Sequence, residues 1–321
     1  MTSHVKSSWS SPRNLRLAVM ATTAVTASSL LAGCGSSSDS NSDPLAASAA
    51  SGDTVVVGSN NFAESILLAD IYGETLKAKG IKVSYKPNIG SRETTYGLLK
   101  NGSITVLPEF NGALLAYLDP KAAPTTQATT DAAVTAKLDP KLTLLKPAAA
   151  QDKDTLTVNA TTAAKYNLTS DSSIADLAAH GSEITIGGSP EFQTRQQGLV
   201  GLKSEYGLVP KSFKALDAGG ALTEAALQNN NVQAADIFST DTTITKEKFV
   251  VLQDPKNLFG FENVVPLVYK SGLSQTGVDA LNAVSAKLDT VTLLDLDTQV
   301  QTDKKDPLAV AQAWLASVGL S

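Results

Sequence analysis

From residue 54 onward, short β-branched runs alternate with segments whose apolar residues recur at helical spacing. TVVVG (54–58) is a compact apolar run of the kind a buried strand needs. FAESILLADIYGETLKAKG (62–80) places Phe62, Ile66, Ala69, Tyr72 and Leu76 on one stripe, with Gly80 as a stop, and predicts a helix. IKVSYKP (81–87) alternates and predicts a strand, RETTYGLLKNG (92–102) a short helix, and SITVL (103–107) another strand. PEFNGALLAYL (108–118) opens on proline, which suits a first helical turn. Further on, EITIGGS (183–189), AADIFST (234–240) and VVPLVYK (264–270) predict strands. TRQQGLVGLKSEYG (194–207), ALTEAALQNN (221–230) and stretches near 275–288 and 306–318 predict helices. DPKAAPTTQATTDAAVTAKLDP (119–140) is a polar Thr/Ala/Pro-rich insert, partly helical at best.

Strand–helix alternation of this kind predicts an α/β fold with parallel sheets covered by helices. The body exceeds what one core fills comfortably, so two lobes are expected.

The first 53 residues follow a different rule. Lys6, Arg13 and Arg16 precede the weakly apolar run 17–31, too short for a permanent membrane span, which reads as a secretory signal. The run ends in Leu31-Ala32-Gly33-Cys34, which resembles the lipobox of bacterial lipoproteins, where the cysteine is lipidated and becomes the mature N-terminus. Residues 1–33 are therefore expected to be a lipoprotein signal peptide. Residues 34–52, rich in Ser, Ala and Gly, are expected to be a flexible tether behind the lipid on Cys34. That locates the protein outside the cytoplasm, anchored to the cell membrane.

Composition narrows the chemistry. The net charge of −5 becomes −8 once the three cations of residues 1–33 are removed, which argues against a nucleic-acid partner. Cys34 is the sole cysteine, so no disulfide is possible and a metal site would lack thiolates. After cleavage His180 is the one remaining histidine, and its place beside Gly181 reads as a helix end rather than an acid/base site. No cofactor or metal motif is present, and nothing demands an enzyme.

What remains is a set of similar loops: GSNNFAES (58–65), NIGSRETT (88–95), LPEFNGA (107–113), GGSPEFQTR (187–195) and DIFSTDTT (236–243). Each follows or ends a strand, and four carry a phenylalanine. In open α/β sheets ligands sit beyond the carboxyl ends of strands, so these loops are expected to converge on one crevice.

The same stretches, with QQGLVGLKSEYGL and ITKEKFVVLQDPKNLFGFENVVPLV, resemble the osmoprotectant-binding proteins of ABC transporters, the receptors for glycine betaine, choline, carnitine and related quaternary amines. The resemblance runs over about residues 54–320. It implies a two-lobed periplasmic-binding-protein fold (type II-like), with mixed sheets flanked by helices and a ligand cleft between lobes. The chain would cross near 108–112 and return near 239–243, giving one lobe from 53–109 and 242–321 and another from 110–241. It also implies an ABC permease and ATPase as partners, no cofactor and no enzymatic activity.

In that family a trimethylammonium group, which cannot donate a hydrogen bond, is held by aromatic faces. A carboxylate tail is met by arginine or backbone N–H groups. The resemblance points to Asn61, Phe62, Ser91, Thr94, Phe110, Asn111, Phe192, Arg195, Phe238, Ser239 and Thr240 as ligand-binding residues. Phe110 and Phe238 stand where the family's PEYTG and YSTD motifs carry tyrosine, and Asn60, Ala63, Asn111 and Ala113 replace usual polar partners. Those departures open a second reading, in which the fold captures a more apolar or aromatic ligand or serves as a sensor.

Arg195 raises its own question, because a cation in a first helical turn opposes the helix dipole. Two answers stand: an anion-receiving corner with Phe192 as wall or brace, or an ion pair with Glu191. Asp241 reads as a cap for the following turn.

Overall fold

The computed structural model describes residues 54–124 and 126–321. The expected signal peptide, Cys34 and the tether lie outside the described residues.

Among the described residues ten strands form two five-stranded mixed sheets. The first has the order β2 (Lys82–Lys86), β1 (Thr54–Gly58), β3 (Val106–Phe110), β10 (Val264–Tyr269), β4 (Leu142–Leu144). The second has the order β7 (Ser212–Ala215), β6 (Thr185–Gly188), β8 (Ala234–Phe238), β5 (Asp154–Val158), β9 (Val250–Val251). In each sheet three neighbouring strands run parallel, and the return strand is antiparallel: β10 against β3, and β5 against β8. The sheets are therefore mixed, where strand–helix alternation alone predicts parallel ones.

The apolar runs end up where their composition requires. Val55, Val56 and Val57 of β1 are buried, while edge strand β2 alternates exposed and half-buried positions. Helix Ala63–Ala78 covers the first sheet with Leu67, Leu68, Ile71, Tyr72 and Leu76 fully buried, and helices Gln275–Ser285 and Pro307–Ser317 pack on it. A separate apolar cluster around Leu156, Ile174, Ile186, Leu202 and Leu208 fills the second lobe. Each sheet carries its own apolar clusters, and each sheet with its clusters makes one lobe.

Three expectations change. Pro108 lies within β3, opposite Pro266 of β10, rather than at a helix start. The helix there is Asn111–Leu118. The lobe exchange falls later than expected, because β4 pairs with β10 and keeps residues up to 144 on the first sheet. Residues 145–152 then run out beside the returning residues 262–266, hydrogen-bonded through Leu145 to Pro266, Ala148 to Val264 and Asp152 to Glu262. The two crossings thus lie near 150–153 and 252–263, not at 108–112 and 239–243. Among its described residues the polar insert 119–140 is helical only over Gln127–Lys137, started by a capping box between Thr126 and Thr129, within the expected partial helicity.

The segment 194–207 is not one helix. Gln197 (φ −80°, ψ 50°) and Gly198 (φ −162°, ψ −146°) break it, and the α-helix proper is Gly201–Tyr206. Arg195 itself is extended (φ −78°, ψ 153°), so it does not oppose a long helix dipole.

Candidate functional site

The carboxyl ends of β1, β3, β6 and β8 bring their loops to one crevice between the lobes. The loop after β1 is stitched to the one after β2, since the Asn61 N–H donates to the Gly90 carbonyl (3.1 Å) and the Ile89 N–H to the Ser59 carbonyl (3.1 Å). Thr95 Oγ1 donates to the Asn60 side-chain oxygen at 2.8 Å, fixing helix Arg92–Lys100 against the same turn. The crevice encloses a cavity of about 550 Å³, its open mouth included.

Asn61, Phe62, Ser91, Phe110, Arg195 and Phe238 line this cavity. Phe62 begins the helix Ala63–Ala78, Phe110 ends β3 and Phe238 ends β8. The Phe62 ring lies 5.9 Å from that of Phe110 and 5.1 Å from that of Phe238, so three rings from both lobes form one aromatic wall.

The other expected residues lie elsewhere. Phe192 is 2% exposed and stacks on Phe213 inside the second core, with centroids 6.4 Å apart. It braces its loop and does not line the cavity. Asn111 is a cross-link: its Nδ2 donates to Asp131 (2.6 Å) and its Oδ1 accepts from the Asn263 N–H (2.8 Å). Gly112 beside it runs so close to the return crossing that a Cβ would sit 2.2 Å from the Phe261 carbonyl oxygen. Thr94 is exposed and outside the cavity lining. Ser239 donates to Asp152 at 3.1 Å and accepts from the Lys153 N–H at 2.9 Å. Thr240 lines a neighbouring cavity, where its hydroxyl donates to Glu64 at 3.0 Å. Asp241 accepts from the N–H and hydroxyl of Thr243, as a cap does.

Arg195 does not pair with Glu191. Its Nε and Nη2 donate to the two carboxylate oxygens of Glu93 at 3.0 and 2.8 Å, a bidentate pair that crosses from one lobe to the other. Partial burial pushes the Glu93 carboxyl up, but hydrogen bonds from Arg195 and Ser91 outweigh it and bring the pKa down to about 2. Arg92 is also committed: buried, it grips Glu109 through Nε and Nη2 at 2.9–3.0 Å. Burial disfavours its charge, but Glu109 more than compensates and keeps it protonated.

The lining also holds Asp152, Asp154, Glu191 and Glu262, an acidic face that sequence reasoning misses. Asp152 sits on the outward crossing and Glu262 on the return, 4% and 2% exposed. Asp236, buried on β8, stands behind the lining and interacts electrostatically with Asp154. Burial pushes Asp152, Asp154, Asp236 and Glu262 up, Asp152 to about 7, and neighbouring carboxyls push Asp152, Asp236 and Glu262 further. Arg92 and Arg195 pull Asp154 partly back. Both lining arginines already hold a glutamate, so the unpaired ionisable groups facing the cavity are acidic, and burial makes their charge conditional on pH. Among the described residues no group of three His, Cys, Asp or Glu side chains could hold a metal.

A cleft between two mixed α/β lobes, walled by aromatic rings and crossed by two chain segments, defines a small-molecule receptor of the type II periplasmic-binding-protein class. A crystal structure of a glycine betaine/carnitine/choline ABC transporter shares this fold, with a TM-score of 0.63 at 23% identity over 83% of this chain and 99% of that one. The chain belongs to the OpuAC family, described as the substrate binding domain of ABC-type glycine betaine transport system, which matches residues 53–317. It is similar to the glycine betaine-binding protein YehZ of Escherichia coli, 28% identical over 277 residues, covering 83% of this chain and 90% of the relative. A glycine-betaine-binding protein of Pseudomonas aeruginosa is 26% identical over 290 residues, with 84% and 90% covered. The family is one of extracytoplasmic transport receptors, not of enzymes.

Proposed function

We propose that this chain is the lipid-anchored receptor of an ABC importer, and that its cleft captures a small quaternary amine that carries no carboxylate, choline being the simplest example. The observation that carries the ligand reading is the acidic lining: Asp152, Asp154, Glu191 and Glu262 face the cavity and can supply negative charge on ionisation, while Arg92 and Arg195 are each already held by a glutamate.

A trimethylammonium group needs aromatic faces and negative potential, because it has no N–H to donate. Phe62, Phe110 and Phe238 supply the faces and the carboxylates the potential. The binding of glycine betaine named for the relatives supports the trimethylammonium half of this reading. Its carboxylate half finds no free cation in this cleft. Ligand touching both lobes favours their closed arrangement, which a permease with its ATPase can distinguish from the open one. Cys34, following Leu31-Ala32-Gly33, is the residue through which the chain is held at the membrane.

The test is a thermal-shift and native mass-spectrometry panel of choline, carnitine and glycine betaine on the purified body. Choline is expected to give the largest stabilisation, and a carboxylate-bearing ligand giving a larger one refutes the charge argument. The anchor is tested by Cys34→Ala, which is expected to release the protein into the medium.

A further inference from the structure

We infer that Glu93 is a specificity-determining residue of this cleft: its carboxylate fills the Arg195 fork in the place a ligand carboxylate would take, and so selects cations over zwitterions. The inference rests on the ligand reading above and extends it to a single side chain.

Arg195 lines the cavity and is the one lining cation not sealed inside a lobe, with 29% of its side chain exposed against 8% for Arg92. A guanidinium recognises a carboxylate best through two parallel N–H···O bonds, and Glu93 already makes both. Exposed ion pairs are usually worth little, but this one has bidentate geometry; Glu93 lies just outside the cavity lining, in an adjoining hollow that Arg195 also lines. It also has an internal advantage. Glu93 is part of the chain, so it reaches Arg195 without the translational and rotational entropy that a free carboxylate loses on binding.

A zwitterion entering the cleft must therefore displace Glu93, or leave its own carboxylate against Asp154 and Glu191. Both outcomes cost affinity. A cation with a hydroxyl tail meets neither obstacle. The pair crosses from helix Arg92–Lys100 in one lobe to the 190–200 segment of the other, so the fork is filled when the lobes come together.

The test compares wild type, Glu93→Gln and Glu93→Ala by calorimetry, with choline chloride and glycine betaine as probes. These ligands share a head group and differ chiefly in the carboxylate. The inference expects both variants to bind betaine at least about tenfold more tightly, relative to choline, than wild type does. Were the pair only a latch between lobes, both affinities would fall together and the ratio would stay put, which overturns the inference. Absence of betaine binding in both variants overturns it as well. The ligand reading is judged separately: wild type silent towards choline, with betaine gained by the variants, keeps the role of Glu93 and removes choline as the ligand.

Discussion

Phe62 lies against Phe238 with ring centroids 5.1 Å apart and planes tilted by 52°, and this contact joins the start of the first lobe's long helix to the end of a central strand in the second. The aromatic wall is therefore complete only when the lobes are together. Phe238→Ala is expected to weaken choline binding about tenfold, in line with about 1–2 kcal/mol for one aromatic face at a partly desolvated cation. Calorimetry on the purified body checks it, and an affinity equal to wild type removes Phe238 from the site.

Glu262 separates binding from stability. Its carboxyl is buried on the return crossing and accepts from Gln197 Nε2 at 2.8 Å, a bond that a glutamine in its place can still accept. Glu262→Gln removes an ionisable group whose charged form burial disfavours, so the unfolding midpoint at a pH high enough to ionise Glu262 is expected to rise by on the order of 3 °C. Choline affinity is expected to fall in the same variant. Both quantities moving in one direction contradicts the assignment.

The pH dependence has a definite sign. Burial raises Asp152 to about 7 and Asp297 to about 6, so the folded protein holds protons that the unfolded chain releases near pH 4. Stability is then greatest on the acid side and is lost as pH rises through the window from about 4 to 7. Binding of a cation runs the other way, because the ligand prefers the ionised carboxyls. Choline affinity is expected to grow between pH 5 and pH 8 while the melting temperature of the free protein declines, and parallel trends would refute the linkage. The Arg195–Glu93 pair stays intact across this range, since Glu93 ionises at about 2.

Asn111 ties the end of β3 to the return crossing. Asn111→Ala leaves the buried Asn263 N–H without its acceptor, at a cost of about 1–3 kcal/mol. The midpoint of thermal unfolding is expected to drop by on the order of 5 °C, with choline affinity close to wild type. A variant that keeps its stability and loses choline would return Asn111 to the ligand.

Much of the fold was legible because its signals are local. The run TVVVG is β1 residue for residue, and the stripe from Phe62 to Leu76 is the helix Ala63–Ala78, save that Phe62 caps it. Pro108 misled, because proline suits a helix start as well as a strand whose neighbour, here β10, also carries a proline at the same level. Phe110 and Phe238, singled out through their motifs, both line the cavity. Phe192 carries the same kind of motif yet points into the core, since Phe213 on the adjacent strand offers it a partner.

The acidic face was not legible at all. Asp152 and Glu262 are 110 residues apart in sequence and meet only because the two crossings run side by side. Arg195 and Glu93 are separated by 102 residues and meet only across the cleft. No spacing rule within one segment could reveal either pairing, whereas Glu191, four residues from Arg195, was the visible but unused candidate.

Calorimetric titration of the wild-type body with choline and, separately, with glycine betaine tests the central claim most directly. Saturable binding of choline at micromolar concentration or tighter, with betaine weaker by about tenfold or more, is the result expected from a cleft whose free charge is negative. Betaine bound as tightly as choline, or choline giving no saturable heat, would contradict it.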